Sequence, residues 1–480
     1  MDIVKRFAYT FMLILTILLL GCQEIPVKGM QEEPMLKSPT KPVKEDPVLG
    51  PQSQQSLGEQ RILVVAARFP DVQPKLSLQQ IRRRAVDDLD HYVREQSYGL
   101  TWVKADFRGW VTLPDSLPKY RIRPYNFEVD LTRLRKLIQD TMTAIENEVD
   151  FSQYHHMLII PGAFTGRGKG YGMICLCANP GMLGTVRTGG YYYRRYVTVN
   201  SKGGKSFQGG ISIAAENAHP GMFPYDFFYY LGGLHENRRL VPCQYDFERQ
   251  SDPSVPRGFR NMSIYMGPWD IMSQMFVKKD KPSQGISSFT KIRLGWITAN
   301  QVILVRPGET KYVFLSPLTK NGDILAVKIP LERGQYYLVE NRQPIGSDQV
   351  LPDSGILVLK VNPDVAEGSG PVRVMDADPG SPHFSHATFR LDKSNRTIFK
   401  DNEKNIAVIP LWSEKGNQGV LVTSKEKSAD ALKAALMIEK LKQRLPDLKD
   451  EREKRMIEEC IASFMRFDFK RSYEIAQQAF

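Results

Sequence analysis

Between Arg61 and Asp226, short apolar runs alternate with stretches of helical period, and that alternation leaves few ways to fold. Residues 61–69 hold the run Ile62-Leu63-Val64-Val65-Ala66-Ala67, which stops at Pro70-Asp71 and reads as a buried strand. Residues 78–94 follow as a helix with Ser77 as N-cap, residues 96–99 as a turn, and residues 100–111 as an alternating strand. Leu131, Leu134, Leu137, Ile138, Met142, Ile145 and Val149 keep helical spacing and predict a long amphipathic helix. Residues 156–161 are the next apolar strand, and a second helix runs through Asp226. The order strand, helix, strand, long helix, strand, helix predicts an α/β (α+β) domain over residues 61–300.

At Gln301 the pattern changes to short alternating strands separated by Pro-Gly, Asn-Gly and Asp-Ser turns. This predicts an antiparallel, β-sandwich-like domain over residues 301–423. From Ser424 the chain is rich in Lys, Glu, Ala and Leu, and residues 429–445, 451–464 and 471–480 read as helices. Such a short C-terminal helical hairpin (residues 424–480) cannot bury a core alone, so it should dock on the body or on a partner.

Lys5 and Arg6, the apolar residues 11–20 and the sequence Leu19-Leu20-Gly21-Cys22 make residues 1–22 a bacterial lipoprotein signal peptide. The apolar run is too short to cross a membrane comfortably. Acylated Cys22 would be the mature N-terminus and the link to the membrane, and Gln23 rather than Asp after it points to the outer membrane. Residues 23–60, rich in Pro, Lys, Glu, Gln and Ser, read as a disordered tether. The expected location is therefore the cell envelope, exported and lipid-anchored.

The formal charge of +12 is scattered along the chain, with no helix-turn-helix, zinc-finger or RNP pattern, which argues against a nucleic-acid partner. The Gly-rich residues 166–172 lack the Lys-Ser/Thr of a phosphate loop and read as a surface loop. Export permits disulfides among Cys175, Cys177, Cys243 and Cys460, whose pairing spacing alone leaves open.

The chemistry-bearing stretch is Tyr225-Asp226-Phe227-Phe228-Tyr229-Tyr230-Leu231-Gly232-Gly233-Leu234-His235-Glu236. Its glycine and terminal His-Glu keep the frame of the zinc helix H-E-x-x-H-x-x-G-x-x-(H/D/E). In that motif two histidines four apart project to nearly the same side of a helix and bind zinc. The glutamate between them takes the proton of the metal-bound water. Two registers fit. In one, Asp226 and Tyr230 fill the histidine slots, Phe227 the base slot and Glu236 the third-ligand slot. In the other, Tyr225 and Tyr229 stand for the histidines, Asp226 for the base and His235 for the third ligand, followed by Arg239. Neither supplies the histidine pair, phenylalanine cannot act as a base, and a phenol with a pKa near ~10 is a poor neutral-pH zinc ligand. About thirty residues on, Gly267-Pro268-Trp269-Asp270-Ile271-Met272-Ser273 reads as a methionine turn, with Met272 as an apolar floor.

Several stretches, in this order, resemble the secreted metalloproteases of the sixth metallopeptidase family, typified by immune inhibitor A. They are Val64-Val65-Ala66-Ala67-Arg68-Phe69-Pro70-Asp71, Gln96-Ser97-Tyr98-Gly99, Gly233-Leu234 and Trp269-Asp270-Ile271-Met272-Ser273. Phe289-Thr290-Lys291 through Leu294-Gly295-Trp296-Ile297, then Tyr337-Leu338-Val339-Glu340-Asn341-Arg342-Gln343 and Gly355-Ile356-Leu357, complete the set. The resemblance implies a zincin-like metalloprotease domain followed by a β domain and, in active members, a secreted zinc endopeptidase. It favours the first register, because the family carries Gly-Leu there.

The departure at the centre of the motif predicts a catalytically inactive pseudopeptidase that uses no cofactor. Its cleft, lined by Tyr225, Tyr229, Tyr230 and Trp269, would bind a peptide or envelope component. If the chain is instead an active zinc metallopeptidase, His219, His235 and Glu236 are the ligands available near the helix, whereas Asp226, Tyr230 and Glu236 would suit calcium better. A third possibility is a structural envelope protein that acts through its β domain or helical tail. His155 and His156 point to opposite faces of a strand and cannot share one metal.

Overall fold

In the computed structural model, which describes residues 43–121, 129–165, 175–247, 265–444 and 450–479, the apolar run after Arg61 lies inside a five-stranded sheet. A hairpin of β1 (Lys44–Asp46) and β2 (Gly50–Gln52) precedes β3 (Gly58–Arg68). Helix α1 (Leu78–Arg82) starts at a capping box between Ser77 and Gln80 and passes through a π-helical turn, Arg83–Asp87, into α2 (Asp88–Gln96). Then come β4 (Thr101–Thr112), α3 (Leu131–Ile145), β5 (His156–Pro161) and β6 (Cys175–Asn179). Two small hairpins, β7 (Thr185–Thr188) with β8 (Tyr191–Arg194) and β9 (Val199–Asn200) with β10 (Ser206–Phe207), lead to β11 (Gly210–Ala214). Helix α4 (Met222–Gly232) follows, then a tight hairpin of β12 (Leu234–His235) and β13 (Arg238–Arg239), and later the short α5 (Ser288–Arg293).

The main sheet has the order β4-β3-β5-β11-β6, parallel except for β6 at the edge. Its two-residue period sorts the run after Arg61. Ile62 and Val64 face a core shared with α1, α2 and α4, while Leu63, Val65 and Ala67 face α3 through Leu134, Leu137 and Ile138. Burial on both faces is what a continuous apolar run requires.

The second half builds two stacked sheets. One contains β14 (Val302–Leu304), β16 (Ala326–Pro330), β17 (Tyr336–Arg342), β18 (Gly355–Val361) and β19 (Val372–Val374). The other contains β15 (Lys311–Leu315), β20 (Phe399–Asp401), β21 (Ile406–Glu414) and β22 (Asn417–Thr423). Val327, Ile329, Val339 and Val358 meet Val313, Val408, Val420 and Val422 between them. The alternate residues Ala326, Leu338, Leu357 and Leu359 pack instead against Trp269, Phe289 and Ile297 of the α/β part. The expected antiparallel pattern needs one correction: β14 pairs with β16 in parallel. Helices α6 (Lys425–Arg444), α7 (Glu451–Met465) and α8 (Phe469–Gln478) cover the outer face of the second sheet through Ile409, Leu411, Trp412 and Leu421. The tail thus docks on the body.

The tether expected over residues 23–60 is corrected at its C-terminal end, where residues 43–60 are docked. Leu49 enters the core, and the polar side chains that made this stretch look unstructured are buried because body carbonyls satisfy them. Gln52 donates to Ile292 O and Ile297 O, both at 3.1 Å, Ser53 Oγ donates to Leu231 O, and Ser56 Oγ donates to Leu294 O. The α/β part therefore begins before residue 61. The lipoprotein signal with Cys22, residues 23–42 of the tether and the Gly-rich residues 166–172 lie outside the described residues.

Candidate functional site

Helix α4 is buried along its whole length. Its start is fixed by His219: Gly221 N–H donates to Nδ1 at 3.0 Å, and Nε2 meets Lys281 O at 2.9 Å. Both ring nitrogens are therefore engaged, and burial lowers the pKa of this imidazole. The helix ends because Gly233 takes φ 68° and ψ −161°, a positive-φ extended conformation that is essentially open to glycine alone. Docked residues of the N-terminal segment satisfy its last carbonyls, with Gln55 donating to Tyr230 O beside the Ser53–Leu231 bond.

The degenerate slots sit inside the core rather than in a cleft. Phe227 is 1 % exposed and packs edge-on to His156 at 5.0 Å. Tyr230 packs against His156 at 5.4 Å and Tyr196 at 6.5 Å. Asp226 is 1 % exposed, and neither carboxyl oxygen has a hydrogen-bond partner among the described residues. Burial drives its pKa far up against the pull of Arg239 and so favours the protonated form.

The predicted cleft aromatics are corrected in the same way. Tyr225 and Tyr229 are buried and hydrogen-bonded to each other at 2.8 Å, and Trp269 is fully enclosed, its Nε1–H donating to Phe384 O at 3.1 Å. Large aromatic rings here fill volume and, with Tyr230, these residues line no groove among the described residues. Met272 is fully buried and shares a core cluster with Tyr225 and Tyr229.

His235 and Glu236 lie past the helix on the β12–β13 hairpin. His235 Nε2 is 3.2 Å from Glu45, and Glu236 is exposed at the turn. Glu236 and Asn237 have φ 49° and 58°, a two-residue turn of the type that favours glycine or asparagine. No trio of His, Cys, Asp or Glu among the described residues could hold a metal ion. His219, His235 and Glu236 do not form such a group: both nitrogens of His219 are committed at the helix start, and His235 turns Nε2 to Glu45 on the hairpin. The calcium trio fares no better, with Asp226 enclosed and Glu236 at the surface. Cys177, Cys243 and Cys460 are separate buried free thiols, which corrects any bridge among these three. Burial pushes the first two up to about 12.

What the hairpin does border is a cavity of about 290 Å³, between β12–β13, β7–β8 and the loop after β18. His235 and Glu236 line it together with Tyr191, Arg238 and Arg293. Its floor holds a buried ion trio that the sequence did not reveal. Glu367 accepts from Arg194 Nε at 2.9 Å and Arg239 Nε at 3.0 Å, and Arg239 lies 3.8 Å over the Tyr229 ring. Arg239 occupies the position where an H-E-x-x-H beginning at His235 would place its second histidine, the one signal that marked it. Glu367 sits in a Gly-Ser loop without any signal, 173 positions from Arg194.

Burial raises the Glu367 pKa, but Arg239 and Arg194 outweigh it and hold the carboxyl at about 2 against an ordinary 4.5. The unfolded chain then binds the proton more readily. The stabilisation is complete above pH 4.5 and is lost as pH falls toward about 2. Glu367→Gln should flatten that stretch of the acid-denaturation curve followed by circular dichroism. A variant as acid-sensitive there as wild type would show that the trio is not carrying it.

A second buried network joins the two halves. Arg342 makes a bidentate pair with Asp348 at 2.8 and 2.7 Å, meets Glu340 at 3.0 Å and donates to Trp269 O at 2.8 Å. Asp270 accepts from Ser287, Thr290 and the Met272 N–H, and Lys291 donates to Gln96 O. Burial lowers the Lys291 pKa to about 7. All of these residues except Asp348 and Ser287 lie in four of the sequence stretches quoted above. Compared with models of known protein families and with curated protein sequences, the chain matches none.

Proposed function

We propose that this chain is a lipid-anchored bacterial envelope protein with an immune inhibitor A-like, zincin-like domain that has lost catalysis. It binds a peptide or envelope component in the cavity beside His235 and Glu236. One observation carries the loss of catalysis: the slots for the zinc histidines and the general base are Asp226, Tyr230 and Phe227, all enclosed in the core. The zincin-like reading is supported by the order β3, α1–α2, β4, α3, β5, β11, α4 and by Met272 packed in the core of that last helix. Anchoring and export rest on Lys5, Arg6 and the Leu-Leu-Gly-Cys22 sequence.

The binding role is supported by a partly open, largely apolar cavity with a few convergent charges, a common form of small-ligand site. A fluorogenic peptide library incubated with the purified full chain and zinc should show no cleavage above the blank. Cleavage that Glu236→Gln or His235→Ala abolishes would overturn the inactive reading and leave an active peptidase.

A further inference from the structure

Around this cavity three glutamates, Glu45, Glu236 and Glu367, match three arginines, Arg238, Arg239 and Arg293, in number, but they are unevenly paired. Arg293, in the last turn of α5, is 8 % exposed and forms no ion pair among the described residues. Among the described residues its guanidinium donates to neutral oxygens, Pro51 O at 2.9 Å, Leu49 O at 3.4 Å and the Tyr336 hydroxyl at 3.2 Å. On the floor, two guanidiniums share the single carboxylate of Glu367. At the rim, Arg238 lies 4.8 Å over the Tyr191 ring and also lacks an ion pair among the described residues. Of the carboxylates nearby, Glu45 lies 3.2 Å from His235 Nε2 and, like Glu236, stands largely in solvent, where screening weakens its reach. The remaining wall is apolar, through Phe289, Leu240, Pro242 and Val361.

A cation held in low dielectric without a counter-charge is costly, and a carboxylate brought to it gains short, charge-assisted hydrogen bonds. The apolar wall adds burial for whatever carries that carboxylate. We propose that the cavity binds a carboxylate borne on an apolar group, with Arg293 receiving the carboxylate, and that its source is the free C-terminus of a peptide ending in an apolar residue. This rests on the cavity being the ligand site.

Isothermal titration of the full chain with acetyl-Ala-Ala-Leu as the free acid, its C-terminal amide and octanoate tests both statements. The acid should bind at least ~10-fold tighter than the amide, the scale of a charge-assisted hydrogen bond. Arg293→Gln should remove that preference, and Arg293→Lys, which keeps the charge, should retain part of it. Equal binding of acid and amide by the wild-type protein, a comparison that needs no variant to fold, overturns the proposal. So does an Arg293→Gln protein that keeps the preference. Octanoate that binds tighter than the peptide acid, with the same Arg293 dependence, keeps the carboxylate and overturns the peptide source. Val365→Trp, which fills the mouth, should abolish binding of every probe. Wild-type affinity in that variant would show that the ligand site lies elsewhere, a failure separate from the carboxylate preference.

Discussion

Replacing Arg342 with alanine should cost about 3–5 kcal/mol of folding stability, the range for removing one partner of a buried ion pair. The guanidinium and both of its carboxylates, Glu340 and Asp348, have no exposed side-chain surface. The same carboxylates also accept backbone N–H groups, Glu340 from Ser288 and Asp348 from Gly285. Without Arg342, two charges remain fixed in the interior with half their partners gone. Both would take up protons or draw in water, at the expense of the packing around Trp269. Urea denaturation of wild type and variant reads the difference. A loss below about 1 kcal/mol, the scale of an exposed pair, would mean that solvent already reaches the cluster.

Asp226→Leu should have the opposite sign, raising stability by about 1–3 kcal/mol, the desolvation cost of a buried polar group left without a partner. Leucine has the same branching as aspartate, so the change replaces two unsatisfied oxygens with methyl groups, and the volume it adds sets the lower end of that range. The surroundings are already apolar and aromatic, with Phe227, Phe228 and Leu231 in the same helix fully or almost fully buried. Thermal unfolding should move to higher temperature. Destabilisation would show that Asp226 has a partner worth keeping, as a metal ligand or catalytic carboxylate would.

The layers of the fold were legible where local pattern is enough. The apolar run from Ile62 to Ala67, the helical spacing from Leu131 and the Ser77 cap each depend on neighbours a few residues away, and each lies where the sequence predicts it, though the helix from Leu131 ends at Ile145, short of Val149. Residues 43–60 were misread because polarity was taken for solvation. Gln52, Ser53 and Ser56 are buried by carbonyls from residues 231 to 297, which no local window contains.

The site was legible only in part. The altered motif pointed to His235 and Glu236, which do border the cavity. It also pointed to Tyr225, Tyr229, Tyr230 and Trp269 as a cleft, yet all four lie in the core. Aromatic residues serve burial and binding equally well, so residue type alone could not separate the two uses. Glu367 gains its importance from partners distant in sequence, and Arg293 from having no ion pair among the described residues.

Zinc content decides most directly whether α4 belongs to the core or to a metal centre. The untagged full chain, purified without chelator and dialysed first against zinc and then against buffer, would be assayed by plasma mass spectrometry. An enclosed Asp226, Phe227 and Tyr230 and a committed His219 predict zinc far below stoichiometric, unchanged by His235→Ala. Near-stoichiometric zinc that falls on His235→Ala, Glu236→Gln or His219→Ala would contradict that and restore the chain to the metallopeptidases.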